Sequence, residues 1–294
     1  MQGYADVHCH LCAGLDDGPR TPDDALEMCH LAWGEGTRMV AATAHQNESW
    51  PEVTPAFTQR ARRVPRPGAG GSPPPAFSVG RIVSRPMSLG IVFVAAYVLA
   101  ELEVPLEIFP TAEVMVWAGL EEAWDRGELL SVADGGKYLL IELPGGLFLD
   151  LSSLIVALRE RGLTPILVHP ERHPELLHSP GVMQRWIELG CLAQVSSGSL
   201  TGEIAPRDVK VLRQWAERGH IHLIGSDGHS VRRRPARLDG GPHQGGGRRL
   251  GGSGGPRGRG FWGGSRSSRS AQRVPLPAAA GSAASSNSHS ARSG

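Results

Sequence analysis

The sequence predicts an α/β fold with a parallel sheet, either open or closed into a barrel. Short apolar runs alternate with helical segments along most of the chain, and such strand–helix repeats require parallel strands. The length of 294 residues is sufficient for one large domain with a substantial core. Four cysteines are too few for a disulfide framework in a chain of this length.

The predicted strands follow one another at regular intervals, beginning with ADVHCH near the N-terminus. The later apolar runs are residues 38–45, 104–109, 137–143, 164–169, 191–196 and 220–227. The clearest helix starts after Thr21 as N-cap, with Pro22 at its first position and Asp23 and Asp24 in its first turn. Further helices are predicted at 150–162 and 206–219.

Composition divides the chain into a globular part and a tail. Residues 1–234 are predicted to form the domain, with an atypical insert or loop at 64–95, of which residues 64–86 are rich in Pro, Gly and Ser. Residues 235–294 are rich in Gly, Ser and Arg and are predicted to be disordered. The longest apolar run, residues 87–100, is shorter than the roughly 20 residues that cross a bilayer. Because no signal-peptide pattern is visible either, we expect a cytoplasmic protein.

Nearly every predicted strand ends in His, Asp or Glu. On the first strand, His8 and His10 point to one face and Cys9 to the other. Further polar residues follow at the DDG turn and at later strand ends: Asp16, Asp17, His45, Glu113, Glu142, His169, Asp227 and His229. In a β/α barrel these ends converge on one site, and imidazoles with carboxylates suit Mn, Fe or Zn ions.

The cysteines do not indicate thiol chemistry. Cys9 and Cys12 have the spacing of a redox pair, but Cys9 lies within a strand and not at a helix N-terminus. No cysteine is followed by arginine at the spacing that cysteine-dependent phosphatases use. A buried structural role is the better interpretation.

These motifs carry a resemblance to a known family. The stretches are HCHLCAGLDDGP, AATAHQN, PTAEV, KYLLIELP, ILVHPER, QVSSGSLTG and GSDGHSVRRR. In this order they are similar to the PHP (polymerase and histidinol phosphatase) superfamily. Within it the chain resembles the manganese-dependent protein tyrosine phosphatases of bacterial capsule and exopolysaccharide operons, over residues 4–63 and about 100–234.

The resemblance implies a distorted (β/α)7 barrel that binds about three divalent ions. The implied metal is Mn²⁺, with Fe or Zn as alternatives. The implied ligands are His8, His10, Asp17, His45, Glu113, Glu142, His169, Asp227 and His229. Arg172 and Arg234 are implied to hold the substrate phosphate, which guanidinium groups bind in a bidentate manner. The implied reaction is hydrolysis of phosphotyrosine by metal-activated hydroxide, on a partner tyrosine kinase that controls polysaccharide export.

Two other functions remain open at this point. The first is a phosphoesterase of the same superfamily acting on a small molecule such as histidinol phosphate. The second is a catalytically impaired homologue, or a protein that binds nucleic acid through its basic tail. The tail has no Phe, Tyr or Trp besides Phe261 and Trp262, which favours a solvated segment over a nucleic-acid site.

Overall fold

The computed structural model of the chain describes residues 3–47, 106–201 and 204–238. The strands there are β1 (Tyr4–His10), β2 (Thr37–Thr43), β3 (His45–Gln46), β4 (Glu107–Pro110), β5 (Glu113–Met115), β6 (Tyr138–Glu142), β7 (Thr164–Val168), β8 (Leu192–Ser196) and β9 (Leu223–Gly225). The α-helices are α1 (Pro22–Gly34), α2 (Leu120–Asp125), α3 (Ser152–Glu160), α4 (Pro174–His178), α5 (Pro180–Glu188), α6 (Ser197–Thr201) and α7 (Pro206–Glu217). The predicted insert at 64–95 and the predicted tail beyond residue 238 lie outside the described residues.

The paired strands run parallel, which confirms the predicted α/β class. One sheet has the order β1-β2-β4, and the other has the order β3-β5-β6-β7-β8-β9. Helices connect the strands, with α1 between β1 and β2, α3 between β6 and β7, and α7 between β8 and β9. In such an arrangement all carboxyl ends of the strands point the same way.

The predicted strand at 38–45 is broken near its carboxyl end. It forms β2 and β3, which are separated by Ala44. The N–H of His45 donates to the carboxylate of Asp16 at 3.0 Å. At the break, a side chain therefore accepts the hydrogen bond of this backbone N–H. The N–H of Glu113 donates to the carbonyl of Ala44 at 2.9 Å, which keeps the next strand in place across the gap.

The first strand also contacts the segment that follows the last strand. The N–H of His10 donates to the carbonyl of Gly228 at 2.8 Å, and the N–H of Asp227 donates to the carbonyl of His8 at 2.7 Å. Cys9 and Gly228 form an isolated parallel bridge. These contacts place the histidines of β1 beside Asp227.

The core lies between the strands and the surrounding helices. It is largely aliphatic and includes two fully buried tryptophans, Trp186 of α5 and Trp215 of α7. Ala236 belongs to the same core and is 1% exposed. The hydroxyl of Ser197 donates to the carbonyl of Arg237 at 2.6 Å. Close packing therefore continues beyond residue 234, at which the sequence places the end of the domain.

Helix α1 begins as the sequence predicts. The hydroxyl of Thr21 accepts from the N–H of Asp24 at 3.2 Å, and the carboxylate of Asp24 accepts from the N–H of Thr21 at 3.1 Å. Pro22 occupies the first turn, where the missing N–H costs nothing. This reciprocal cap fixes the end of the loop at residues 11–20, which carries Asp16 and Asp17.

Candidate metal centre

The residues predicted as metal ligands lie together at the carboxyl ends of the strands. Their side-chain donor atoms form overlapping groups, within each of which all atoms lie within 4.8 Å of one another. The groups are His10, Asp17, His45 and His229; His8, His10 and Asp227; His8, Glu113 and His169; and His45, Glu113 and Glu142. Each predicted ligand belongs to at least one group, and metal binding by these residues stays a prediction.

Glu113 lies at the centre of the cluster and is fully buried. Its Oε2 lies 3.3 Å from Nε2 of His8, 3.2 Å from Nε2 of His10 and 3.1 Å from Nδ1 of His45. Its Oε1 lies 2.8 Å from Nε2 of His169. One carboxylate therefore contacts imidazoles that come from β1, from β3 and from the end of β7.

Asp17 lies at the open side of the cluster. Its Oδ1 lies 3.3 Å from Nε2 of His45 and 3.2 Å from Nε2 of His229. The Asp17 side chain is 54% exposed, whereas the His229 side chain is only 6% exposed. The ring of His229 stacks on that of His10 with a centroid distance of 3.8 Å. This side gives solvent and a ligand access to the cluster.

The donor set fits divalent cations. Two donors that share one ion, each about 2.1 Å from it, lie about 3–3.5 Å apart. Nε2 of His8 is 3.1 Å from Nε2 of His10 and 3.5 Å from Oδ1 of Asp227. Buried polar atoms normally have hydrogen-bond partners. Three buried atoms of the cluster form no well-directed hydrogen bond among the described residues, although carboxylate oxygens lie close to the first and the last: His45 Nδ1, Glu142 Oε2 and His229 Nε2.

The electrostatics of the cluster also favour cations. Burial opposes ionisation of Glu113, yet His8 and the other contacting imidazoles hold its pKa well below its usual value. Burial and the charge of Glu113 raise the pKa of Glu142. Burial lowers the pKa of His10, but Asp16 and Glu113 outweigh it and raise that pKa to about 10. Without metal, protons on the imidazoles therefore balance the negative charge of the carboxylates, and bound cations would replace those protons.

Two predicted ligands have a strained backbone. His169 follows β7 with φ of 33°, and Asp227 follows β9 with φ of 51°. Non-glycine residues rarely adopt this left-handed conformation, which costs about 1–3 kcal/mol each. At both positions the chain leaves its strand, and the side chain contacts the cluster. The strain is therefore located where donor atoms are placed.

Both predicted phosphate-binding arginines lie beside the cluster. Arg172 pairs with Oδ2 of Asp227 and donates to the hydroxyl of Ser196 at 3.2 Å. Arg234 lies 3.5 Å from the same Oδ2 and 3.8 Å from Oδ2 of Asp17. The side chains of Arg172 and Arg234 are 37% and 36% exposed. Each guanidinium group can therefore meet a ligand at the open side, and phosphate binding by them stays a prediction.

Two side chains that contact these imidazoles lie outside the ligand set that the sequence predicts, and their roles were not identified. Asp16 accepts from Nδ1 of His10 at 2.7 Å, although the sequence alone suggests an ordinary turn residue. Oε1 of Gln194 lies 2.9 Å from Nδ1 of His8. The sequence does contain a signal for Gln194, because a glutamine inside the apolar run 191–196 needs a hydrogen-bond partner when it is buried.

The four thiols are expected to play no part in the chemistry. Cys9, Cys12, Cys29 and Cys191 are free and buried. Burial raises the pKa of each of them, to about 12 for Cys29 and Cys191. We expect iodoacetamide at pH 7 to leave the native protein unmodified by mass spectrometry and fully active. A cysteine-dependent phosphatase treated in parallel should lose its activity. Inactivation of the native protein, with one cysteine alkylated, would contradict this interpretation.

Known proteins resemble the chain over most of its length. It is 27% identical to tyrosine-protein phosphatase YwqE of Bacillus subtilis, over 78% of each chain. It is 22% identical to tyrosine-protein phosphatase CpsB of Streptococcus pneumoniae, over 78% of this chain and 84% of that one. The fold matches crystal structures of YwqE and CpsB, described as unique metal-dependent tyrosine phosphatases. That match has a TM-score of 0.66 and 26% identity, and covers 81% of this chain and 84% of the other.

A family model gives the same result. The model described as capsular polysaccharide synthesis, CpsB/CapC, matches residues 4–64 and 93–243, which is more than half of the chain. The matched ranges contain every predicted ligand and both arginines. The first range holds His8, His10, Asp17 and His45, and the second holds Glu113, Glu142, His169, Arg172, Asp227, His229 and Arg234. The chain therefore belongs to the CpsB/CapC family of capsular polysaccharide synthesis proteins.

Proposed function

We propose that this protein is a metal-dependent phosphatase that removes phosphate from tyrosine residues of proteins. The observation that carries the proposal is the convergence of nine imidazole and carboxylate side chains, with two arginines at their edge. A cation site beside an anion site is what cleavage of a phosphate monoester requires. The relatives named tyrosine-protein phosphatases support the same reaction.

The chain's own residues would bind and orient the phosphate. Guanidinium groups match phosphate oxygens in pairs, and Arg172 and Arg234 both reach the open side of the cluster. Burial opposes ionisation of Asp227, but His8 and Arg172 hold its pKa below the usual value. Its carboxylate therefore stays charged and keeps Arg172 at the cluster. Divalent ions, when bound, lower the pKa of water and offset charge on the phosphoryl oxygens.

Manganese is the proposed metal, at about three ions per chain, with Fe or Zn as alternatives. Imidazoles and carboxylates accommodate each of these ions, and the overlapping donor groups share His8, His10, His45 and Glu113. Shared donors support adjacent ions rather than separate sites. The donor set contains no thiolate, which is the ligand that would have favoured zinc most strongly.

The proposed substrate is a bacterial tyrosine kinase that acts in capsule or exopolysaccharide synthesis. Membership of the CpsB/CapC family supports this setting. We propose the cytoplasm as the location of both proteins. Within the described ranges, no helix combines the length and apolar character needed to cross a membrane.

We also propose that the strands close into the distorted (β/α)7 barrel of one domain, which the sequence places at residues 1–234 and which the packing of Ala236 and Arg237 extends by a few residues. Taking β2 with β3, and β4 with β5, as single broken strands gives a ring of seven. The hydrogen bonds between β1 and the residues after β9 support closure of that ring. A closed barrel would explain why donors from the first and last strands lie in one cluster.

The proposed function predicts Mn²⁺-dependent hydrolysis of a phosphotyrosine peptide by the purified full chain. The assay compares added Mn²⁺, chelator, and the variants His8→Ala and His169→Ala. We expect activity with Mn²⁺, loss with chelator, and at least about 100-fold lower kcat/KM in both variants. His178→Ala, which removes an exposed histidine of α4, serves as the matched control.

Other outcomes separate the alternatives. Histidinol phosphate is assayed in parallel, and a higher kcat/KM for it would replace the protein substrate with a small molecule. Ions bound without activity on either substrate would indicate another phosphoester. Absence of both binding and activity would overturn the proposal and indicate an impaired homologue.

A further inference from the structure

Two side chains outside the proposed ligand set contact its imidazoles on the nitrogen that faces away from the cluster. Asp16 lies 2.7 Å from Nδ1 of His10, and Gln194 lies 2.9 Å from Nδ1 of His8. Both side chains are buried. We propose that Asp16 and Gln194 are positioning residues, each of which sets the geometry and affinity of a different part of the metal centre. The inference rests on the metal-dependent function proposed above.

Asp16 organises three parts of the site at once. Its Oδ2 accepts from the ring of His10 and from the backbone N–H of His45, at 2.7 and 3.0 Å. Its Oδ1 accepts from the N–H of Gly18 at 3.0 Å, which folds the turn that carries Asp17. His10, Asp17 and His45, together with His229, form one donor group, defined here as the outer subsite. One carboxylate thus fixes three of its donors.

The hydrogen bond to Asp16 also sets the tautomer of His10. An ionised carboxylate can only accept, so Nδ1 of His10 carries the proton. Once a cation displaces the second proton of the ring, Nε2 is the nitrogen that presents its lone pair to the cluster. Without this acceptor, the proton could move to Nε2 and block the donor.

Gln194 performs the same role for His8. The amide Nε2 of Gln194 donates to the carbonyl of Val195 at 2.8 Å, which fixes the orientation of the amide group. Its Oε1 therefore accepts from Nδ1–H of His8, and Nε2 of His8 faces the cluster. His8, Glu113 and His169 form a donor group, defined here as the inner subsite.

Two glycines leave room for these contacts. A methyl group on Gly18 would lie 3.0 Å from Oδ1 of Asp16 and 3.0 Å from Cβ of His10. A methyl group on Gly225 would lie 2.8 Å from Nε2 of Gln194 and 2.8 Å from Cβ of His8. Real Cβ atoms avoid such distances, so both positions favour glycine for space.

The two subsites separate the two roles. The outer subsite contains no partner of Gln194, and the inner subsite contains no partner of Asp16, whereas the group of His8, His10 and Asp227 contains one partner of each. Removal of Asp16 should therefore weaken binding at the outer subsite and spare the inner subsite, and removal of Gln194 should do the reverse. A general loss of stability would weaken both classes together.

The test is a calorimetric Mn²⁺ titration of the metal-free full chain, with bound metal measured after dialysis at fixed free Mn²⁺. We expect Asp16→Asn to weaken one class of site about 10–100-fold, and Gln194→Met to weaken a different class by a similar factor. The double variant should lose both classes. Asp23→Asn in the first turn of α1 and Gln184→Met on α5 are exposed matched controls, and both should bind Mn²⁺ as the wild type does.

Each remaining outcome decides the matter. Wild-type isotherms in both variants, or equal weakening of all sites in each, would overturn the positioning roles. Failure of the wild type to bind Mn²⁺ would instead refute the metal-dependent function itself. Circular dichroism and thermal melting of the metal-free chains verify folding. If Asp16→Asn does not fold, Gly18→Ala is measured in its place, because the added methyl group displaces the Asp16 carboxylate without removing it. Unchanged Mn²⁺ binding by Gly18→Ala would also overturn the role of Asp16.

Discussion

Glu113→Gln is expected to abolish metal binding and phosphatase activity together. The substitution keeps the shape of the side chain and removes the charge that four imidazoles share at 2.8–3.3 Å. Two of the donor groups include this carboxylate. We therefore expect kcat/KM to fall by more than the roughly 10–100-fold that loss of an outer hydrogen-bond partner costs. The measurements are metal content by elemental analysis and initial rates at saturating Mn²⁺.

Glu107→Gln is the matched control, because it makes the same chemical change at an exposed position of β4. It should retain wild-type metal content and rate. If Glu113→Gln kept its full complement of Mn²⁺, the central place of this carboxylate in the proposed centre would be wrong. The melting temperature without metal shows whether the variant is folded when the binding is measured.

Arg172→Ala should lower kcat by about 10²–10³-fold while leaving the bound ions in place. That range is typical for loss of one group that stabilises charge in a transition state. Arg172 is held by Asp227 and by the hydroxyl of Ser196, so the guanidinium is already placed at the edge of the cluster. Arg172→Lys should recover only part of the loss, since an ammonium cannot contact two phosphate oxygens as a planar fork does.

Arg126→Ala provides the comparison for this second prediction. Arg126 pairs with Glu128 on the surface, and its side chain is 57% exposed. We expect no change in its rate. A fall in metal content in Arg172→Ala would show that the arginine supports Asp227 rather than the phosphate. Binding of inorganic phosphate to each variant, measured by calorimetry, distinguishes these two roles.

The strands and most of the clustered side chains were predictable because their signals are local. An apolar run that ends in His, Asp or Glu is visible within a few residues, as at His169 after 164–168. Parallel topology then brings such ends together. The short helices α2, α4 and α6 are not visible in this way, because five or six residues do not establish a helical period.

The supporting side chains were not predictable, because their roles depend on partners distant in sequence. Gln194 and His8 are separated by 186 positions, and no local pattern relates them. Asp16 has the sequence context of a turn, and the structure shows that its carboxylate also takes the N–H of His45. The break between β2 and β3 is unpredictable for the same reason, since it depends on a side chain from another loop.

The contact between the first strand and the residues after the last strand bears on how the protein matures. Cys9 and Gly228 are 219 positions apart, and three of the donors that flank them, His8, His10 and Asp227, belong to one group. During synthesis His8 leaves the ribosome long before Asp227 is made, so that group cannot exist on the nascent chain. Contacts of such long range form late in folding because loop closure costs entropy. Metal loading would then be a final step of biosynthesis, and a cell short of the ion would accumulate complete but empty chains.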